Sequence, residues 1–85
     1  MIVRGRVQGV GFRFFVRELA AAMGVRGWVR NRADGSVEIH AEGDRETLVQ
    51  FIEKIEQGPR LGYIYELTCD WVEPKNTFAS FDIAF

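Results

Sequence analysis

The chain has 85 residues, a formal net charge of −1 and 47% hydrophobic residues. This length predicts a single domain over residues 1–85, and the near-neutral charge argues against a dedicated nucleic-acid binder, which usually carries a basic excess. The only cysteine, Cys69, excludes an intrachain disulfide, and one Cys with one His is too few for a zinc cluster. No apolar run approaches the ~20 residues that span a bilayer, and no signal peptide is evident, so we expect a cytoplasmic protein that binds no membrane.

The N-terminal half predicts a strand, a helix and the start of a hairpin. β-branched residues indicate a first strand over Met1–Val7. Apolar residues at helical spacing indicate a helix over Phe12–Met23, and Gly24 suits a left-handed cap at its end. Val25–Asn31 is predicted to be a second strand, followed by a turn with the hairpin signal Asp34-Gly35.

The C-terminal half predicts another strand, a second helix and two further strands. Alternation indicates a half-buried third strand with Val37, Ile39 and Ala41 facing inward. Asp44 is a candidate N-cap for a helix that Gly58-Pro59 would end. A fourth strand over Ile64–Trp71, a turn at residues 74–76 and a last strand over Phe78–Phe85 complete the chain.

The predicted order is β-α-β-β-α-β with an extra C-terminal strand. This is the ferredoxin-like α+β arrangement, an antiparallel sheet with two helices on one face. In this topology the first and second strands run parallel with the third between them. The Gln8–Arg13 loop and Asn31 therefore follow strands that end at the same sheet edge, about 10 Å apart, which leaves room for a phosphate and a water.

The loop that opens the first helix is the strongest candidate binding site. Gly9 and Gly11 allow backbone N–H groups to turn inward at the positive end of a helix, which favours an anion. Arg13 in the first helical turn opposes the helix dipole, and a bound anion would remove that conflict. Arginine also grips phosphate oxygens in a bidentate fork. An ordinary glycine-containing turn with a surface arginine explains the same residues equally well.

Asn31 is a second candidate, at the end of the second predicted strand. Its carbonyl oxygen could hold a water while its amide steadies a phosphate oxygen. Asparagine is also common beside turns, so this residue taken alone does not indicate a site.

Other polar or reactive residues are predicted to be structural. His40 alternates with core residues and should face solvent, and Cys69 should be a small buried residue on its strand. Acidic side chains of the second helix suit its solvated face, and no pair of carboxylates is spaced for acid–base work; these acids are Asp44, Glu46, Glu53 and Glu56.

Two segments, Gly5–Arg13 and Gly27–Glu38, resemble the two signature segments of the acylphosphatase family, and further family residues follow in order: Gly43, Phe51, Gly58-Pro59 and Trp71. The resemblance implies an enzyme without metal or cofactor that hydrolyses the carboxyl–phosphate bond of small acyl phosphates to a carboxylate and inorganic phosphate. It implies that Arg13 binds the phosphate and that Asn31 orients the attacking water. It also assigns the phosphate-binding amides to Gln8, Gly9, Val10, Gly11 and Phe12. The stretch Leu61–Leu67 fits the family pattern loosely, which leaves the register of the fourth strand open.

Two other functions compete with this interpretation. Acylphosphatase-like domains also open the large carbamoyl-transfer proteins of hydrogenase maturation, where a domain of this kind would be a binding module. The zinc-finger segments that follow it there are missing from this chain, so we expect a free-standing, monomeric enzyme. An RNA-recognition domain of similar fold would show aromatic residues on central strands in a Lys/Arg-Gly-Phe context, and the sequence lacks that pattern.

Overall fold

The computed structural model describes residues 1–9, 11–58 and 62–84, which contain two helices and five strands. The elements in chain order are β1 Ile2–Arg6, α1 Phe12–Met23, β2 Arg26–Asn31, β3 Val37–Glu42, α2 Arg45–Gln57, β4 Tyr63–Thr68 and β5 Phe81–Ile83. The predicted ferredoxin-like order with an added strand is therefore confirmed. The predictions that fall on Val10, Pro59, Leu61 and Phe85 lie outside the described residues. Neither helix in the described part of the chain combines the length and apolar character needed to cross a membrane.

The strands form a five-stranded sheet in the order β4-β1-β3-β2-β5. β3 lies between β1 and β2 and is antiparallel to both. The strands β1 and β2 consequently run parallel, as predicted, and their carboxyl ends reach the same edge of the sheet. This shared edge is what brings the segment after β1 close to the last residue of β2.

The added strand β5 pairs in parallel with β2, whereas the other pairs of neighbouring strands are antiparallel. The segment that connects β4 to β5 explains the direction of β5. β4 ends at Thr68, opposite Ile2 at the start of β1. Residues 69–80 then lead to Phe81, which pairs with Gly27 near the start of β2. Because the chain crosses one end of the sheet and enters again from that end, β5 must run in the direction of β2.

Both helices contribute to one apolar core against the same face of the sheet. Phe12, Val16 and Ala20 from α1 and Phe51 and Ile55 from α2 are fully or almost fully buried. The strand side chains that meet them are Val3, Val29, Val37, Ile39 and Phe81. The apolar residues that alternate along the strands and those at helical spacing along the helices therefore pack into the same core.

The helix ends follow the predicted local signals. Gly24 adopts a left-handed conformation with φ 71°, and its N–H donates to the carbonyl of Ala21. The Asp44 carboxylate accepts the backbone N–H of Thr47 at 2.9 Å, which caps the first turn of α2.

The register of β4, which the sequence left open, follows from its pairing with β1. Val3 lies opposite Leu67, and the register shifts between Arg4 and Gly5. A Cβ on Gly5 would lie 2.0 Å from the Tyr63 carbonyl oxygen, so only glycine fits where the two backbones approach. β4 ends at Thr68, three residues before the predicted Trp71.

Two predictions of burial are wrong, both because of residues 69–80. His40 is half-buried, not solvent-exposed, since its ring packs between Trp28 and Phe78 at centroid distances of 5.8 and 5.2 Å. Cys69 is exposed, not buried, because β4 ends before it. Residues 69–80 show no hydrophobic periodicity, so the sequence did not indicate that they return over the sheet.

Candidate functional site

A cleft of about 190 Å³ opens at the shared edge of β1 and β2. Arg13 on α1 and Asn31 at the end of β2 both line it, although they are far apart in the sequence. The glycines Gly9 and Gly11 line it as well, together with Val7, Phe12, Phe14 and Ile83. The structure thus brings together all the predicted site residues among those described except Gln8, which does not line the cleft.

The loop enters α1 through two glycines with left-handed backbone conformations. Gly9 and Gly11 both have φ 76°, and Gly11 is the N-cap of α1. Glycine offers no side chain to cap the helix, and the first turn of α1 carries no acidic residue. The start of α2 differs, because Asp44 caps it and Glu46 lies in its first turn. The positive end of α1 is therefore a favourable position for an external anion.

The Gln8 side chain ties the loop to the β2–β3 hairpin. Its amide nitrogen donates to the carbonyl oxygens of Arg32 and Ser36, both at 2.9 Å. These two carbonyls flank the turn that follows Asn31. Gln8 therefore sets the loop and the end of β2 relative to each other. Sequence reasoning missed this role of the side chain, because a glutamine carries no local signal for a partner 24 or 28 residues away.

The hairpin turn is itself fixed by Asp34. The Asp34 carboxylate accepts the backbone N–H of Ser36 at 3.0 Å and the Ser36 hydroxyl, and Arg4 donates to it at 3.2 Å. These hydrogen bonds, those from Ser36 foremost, hold the pKa of Asp34 well below its usual range. The predicted Asp-Gly turn is thus confirmed, and its carboxylate stays charged where it anchors the backbone beyond Asn31.

Carboxylates pair with two arginines of the sheet. Arg30 donates through Nε and Nη2 to Glu38 at 3.0 and 2.8 Å. Arg4 pairs with Asp34 and with Glu66, each at 3.2 Å. Within the described ranges 1–9, 11–58 and 62–84, no group of three His, Cys, Asp or Glu side chains is close enough together to hold a metal ion. The cationic group that lines the cleft is Arg13.

Apolar side chains form the rest of the cleft. Val7 and Phe12 are buried at its base, and Ile83 of β5 is half-buried. Phe14 stands in the first turn of α1 with 56% of its surface exposed. The cleft therefore combines a polar half, suited to an oxyanion, with an apolar half.

Another cavity, of about 230 Å³, lies at the opposite end of the sheet, where β3 and β4 end and α2 begins. It contains none of the predicted site residues. The polar side chains that line it include His40 and Glu42, which bind each other at 2.8 Å, and Arg45, which stacks over Trp71 at 4.4 Å. Glu42 and Arg45 thus hold residues 69–80 to β3 and α2.

Comparison with known proteins gives a consistent result. The family model described as Acylphosphatase matches residues 1–83. An acylphosphatase from Pseudothermotoga lettingae is 47% identical over 81 residues, 95% of this chain and 90% of that protein. The crystal structure of acylphosphatase from Bacillus subtilis matches with a TM-score of 0.95 and 39% identity, over 99% of this chain and 93% of that chain. T. kodakarensis HypF matches with a TM-score of 0.86 and 34% identity, over 99% of this chain but only 11% of HypF. The chain therefore belongs to the acylphosphatase family of enzymes.

Proposed function

We propose that this chain hydrolyses small acyl phosphates without a metal ion, with Arg13 and the loop amides binding the phosphate and Asn31 orienting the water. The observation that carries this proposal is the shared cleft of Arg13, Asn31 and the two loop glycines. A cationic fork, a helix N-terminus and a neutral amide that both donates and accepts hydrogen bonds are the groups this reaction needs.

The substrate itself explains why so few groups suffice. An acyl phosphate is already activated, because its leaving group is a stable carboxylate. Catalysis then requires a water held in line with the leaving group and stabilisation of charge on the equatorial phosphate oxygens. Backbone amides and one guanidinium supply that charge stabilisation without Mg²⁺.

The proposed step balances without a side-chain base. The water oxygen attacks phosphorus, the bond from phosphorus to the carboxyl oxygen breaks, and its electron pair leaves with the carboxylate. One water proton passes to a phosphate oxygen of the substrate. The side chain of Asn31 accepts a hydrogen bond from the water through its carbonyl oxygen and donates to the phosphate through its amide. An essential side-chain base in the pH profile of kcat would contradict this route.

Hydrolysis of benzoyl phosphate with and without EDTA tests the reaction and its metal independence. We expect turnover that EDTA leaves unchanged, because the proposed charge stabilisation comes from protein groups alone. A loss of activity in EDTA that added divalent cations restore would refute the metal-free mechanism.

A second candidate is a binding module without turnover. The match to HypF supports it, since there a domain of this fold makes up only 11% of a longer chain. Binding of inorganic phosphate with no hydrolysis of benzoyl phosphate would favour this candidate over the enzyme.

We further infer that residues 1–85 are one domain that acts as a monomer in the cytoplasm. The radius of gyration of 11.7 Å is close to the value of about 12 Å expected for a compact domain of this length. The exposed thiol of Cys69 suits a reducing compartment. Analytical ultracentrifugation tests the monomer directly.

A further inference from the structure

The apolar half of the cleft has no role in the hydrolytic step. Phe14 and Ile83 line the same cleft as Arg13 and Asn31, yet the side chain of neither can form a hydrogen bond to phosphate or water. Phe14 is 56% exposed, although a phenyl ring in the first turn of a helix could be replaced by a polar residue at no cost to the core. An exposed aromatic ring beside a polar site is a common way to receive the apolar part of a ligand.

The ring of Phe14 is held from outside the cleft. The guanidinium carbon of Arg17, one helical turn further along α1, lies 4.9 Å from the ring centroid. Arg17 itself does not line the cleft. A cation over an aromatic face restricts the ring's motion and covers part of its surface. Phe14 therefore offers the cleft a ring whose position is partly set before any ligand arrives.

A second wall of the cleft comes from β5. Ile83 pairs with Val29 of β2, two residues before Asn31, and the N–H of Ala84 donates to the carbonyl of Val29 at 2.8 Å. This parallel register brings an aliphatic side chain next to the residue proposed to hold the water. Phe14 and Ile83 consequently lie on two different elements that both border the phosphate-binding groups.

We propose that Phe14 and Ile83 form a subsite for the acyl group and make the enzyme prefer acyl phosphates with aryl or branched alkyl groups over acetyl phosphate. The inference rests on the proposed function, because the phosphate must be held by Arg13 and the loop for the acyl group to reach this wall. A phosphate bound at the polar half leaves its acyl substituent to pack on the apolar half. A methyl group is too small to contact both walls, whereas a phenyl ring or a branched chain extends towards them.

The test compares benzoyl phosphate with acetyl phosphate as substrates. In Phe14→Ala we expect the ratio of kcat/KM for benzoyl phosphate to that for acetyl phosphate to fall by roughly 10-fold, mostly through KM, as for loss of an apolar contact in a pocket. Phe14→Leu keeps an apolar side chain and should retain most of the ratio, while Ile83→Ala probes the second wall. Val49→Ala, which shortens an exposed apolar side chain on α2 outside the cleft, is the matched control.

Competitive inhibition by inorganic phosphate measures phosphate binding separately from binding of the acyl group. We expect the inhibition constant to change less than about 2-fold in Phe14→Ala, because the lost contact is with the acyl group only. A substrate ratio that stays constant in Phe14→Ala and Ile83→Ala, with hydrolysis intact, would overturn the subsite alone. A wild-type chain that hydrolyses neither substrate would overturn the proposed function and the subsite with it.

Discussion

Arg13 stands where its own helix disfavours a positive charge. The first turn of α1 has no acidic residue, its N-cap is Gly11, and the helix dipole is positive at this end. A cation here costs a few tenths of a kcal/mol in isolation, and a bound anion reverses the sign of that interaction. Asn31 carries no charge, so its contribution to the proposed site depends on the direction of its hydrogen bonds and not on long-range electrostatic attraction. These properties separate the proposed roles of the two residues.

We expect Arg13→Ala to abolish measurable binding of inorganic phosphate, because it removes the bidentate cation from the cleft. Asn31→Ala should retain phosphate binding and lose turnover by about 10²-fold, the effect of removing a donor that acts in the transition state. Isothermal titration with phosphate and the rate of benzoyl phosphate hydrolysis measure the two properties separately. Equal loss of phosphate binding in both variants would contradict this division of roles.

Among the elements, the link between the loop and the β2–β3 hairpin has the greatest bearing on the site. Gln8 donates both of its amide hydrogens across this gap, to the carbonyls of Arg32 and Ser36. The loop carries the proposed phosphate amides, and the hairpin begins directly after Asn31. Two hydrogen bonds of one side chain thus set the distance between the groups proposed to bind phosphate and the residue proposed to orient water.

We expect Gln8→Ala to lower kcat/KM for benzoyl phosphate by roughly 10-fold, since small errors in position are costly to a reaction that depends on alignment. The free energy of unfolding should fall by only about 1–2 kcal/mol, the net value of two hydrogen bonds. Gln8→Glu should be worse in both respects, because its carboxylate would face two carbonyl oxygens near an anion site. Urea unfolding and steady-state kinetics measure the two effects.

Gln50→Ala, on the exposed face of α2, is the control for loss of a glutamine. If Gln8→Ala kept full activity while losing stability, the link would serve the fold only and not the alignment of the site.

For the whole molecule, one buried carboxylate connects the sheet to residues 69–80. Glu42 at the end of β3 is 4% exposed, and it accepts the backbone N–H groups of Lys75 and Asn76, each at 2.9 Å. His40 binds the same carboxylate at 2.8 Å. These partners, His40 foremost, lower the pKa of Glu42 from 4.5 to about 2. The carboxylate therefore stabilises the folded chain fully above pH 4.5, and this contribution is lost as the pH falls towards 2.

We expect Glu42→Gln to lower Tm at about pH 7, because an amide cannot accept both backbone N–H groups through two oxygens. Between about pH 5 and about pH 2 the Tm of the wild-type chain should fall more steeply than that of the variant, since only the wild type must protonate this group. Thermal unfolding followed by circular dichroism measures both, with Glu53→Gln on the exposed face of α2 as control. Parallel Tm curves for the two proteins would show that Glu42 does not govern acid stability.

Local sequence signals were enough to predict the helices. The topology that they imply was enough to predict that Arg13 and Asn31 lie near each other. Helical spacing and Gly24 determined the bounds of α1, and the ferredoxin-like topology alone brought the ends of β1 and β2 to one edge. The surroundings of His40 and Cys69 could not be predicted, because they depend on where residues 69–80 pass over the sheet. Such a segment, without periodicity, is positioned by distant contacts such as those of Glu42. The role of Gln8 escaped prediction for the same reason.

The parallel pairing of β5 with β2 also has a consequence for synthesis of the protein on the ribosome. The cleft draws on residues from Val7 to Ile83, so its last wall emerges only after every other part of the site. Until then the nascent chain presents the free edge of β2, with unpaired backbone groups next to Asn31. Arrival of β5 covers that edge and completes the cleft in one event. Completion of the cleft in the newborn chain is thereby coupled to the pairing of the open edge of β2.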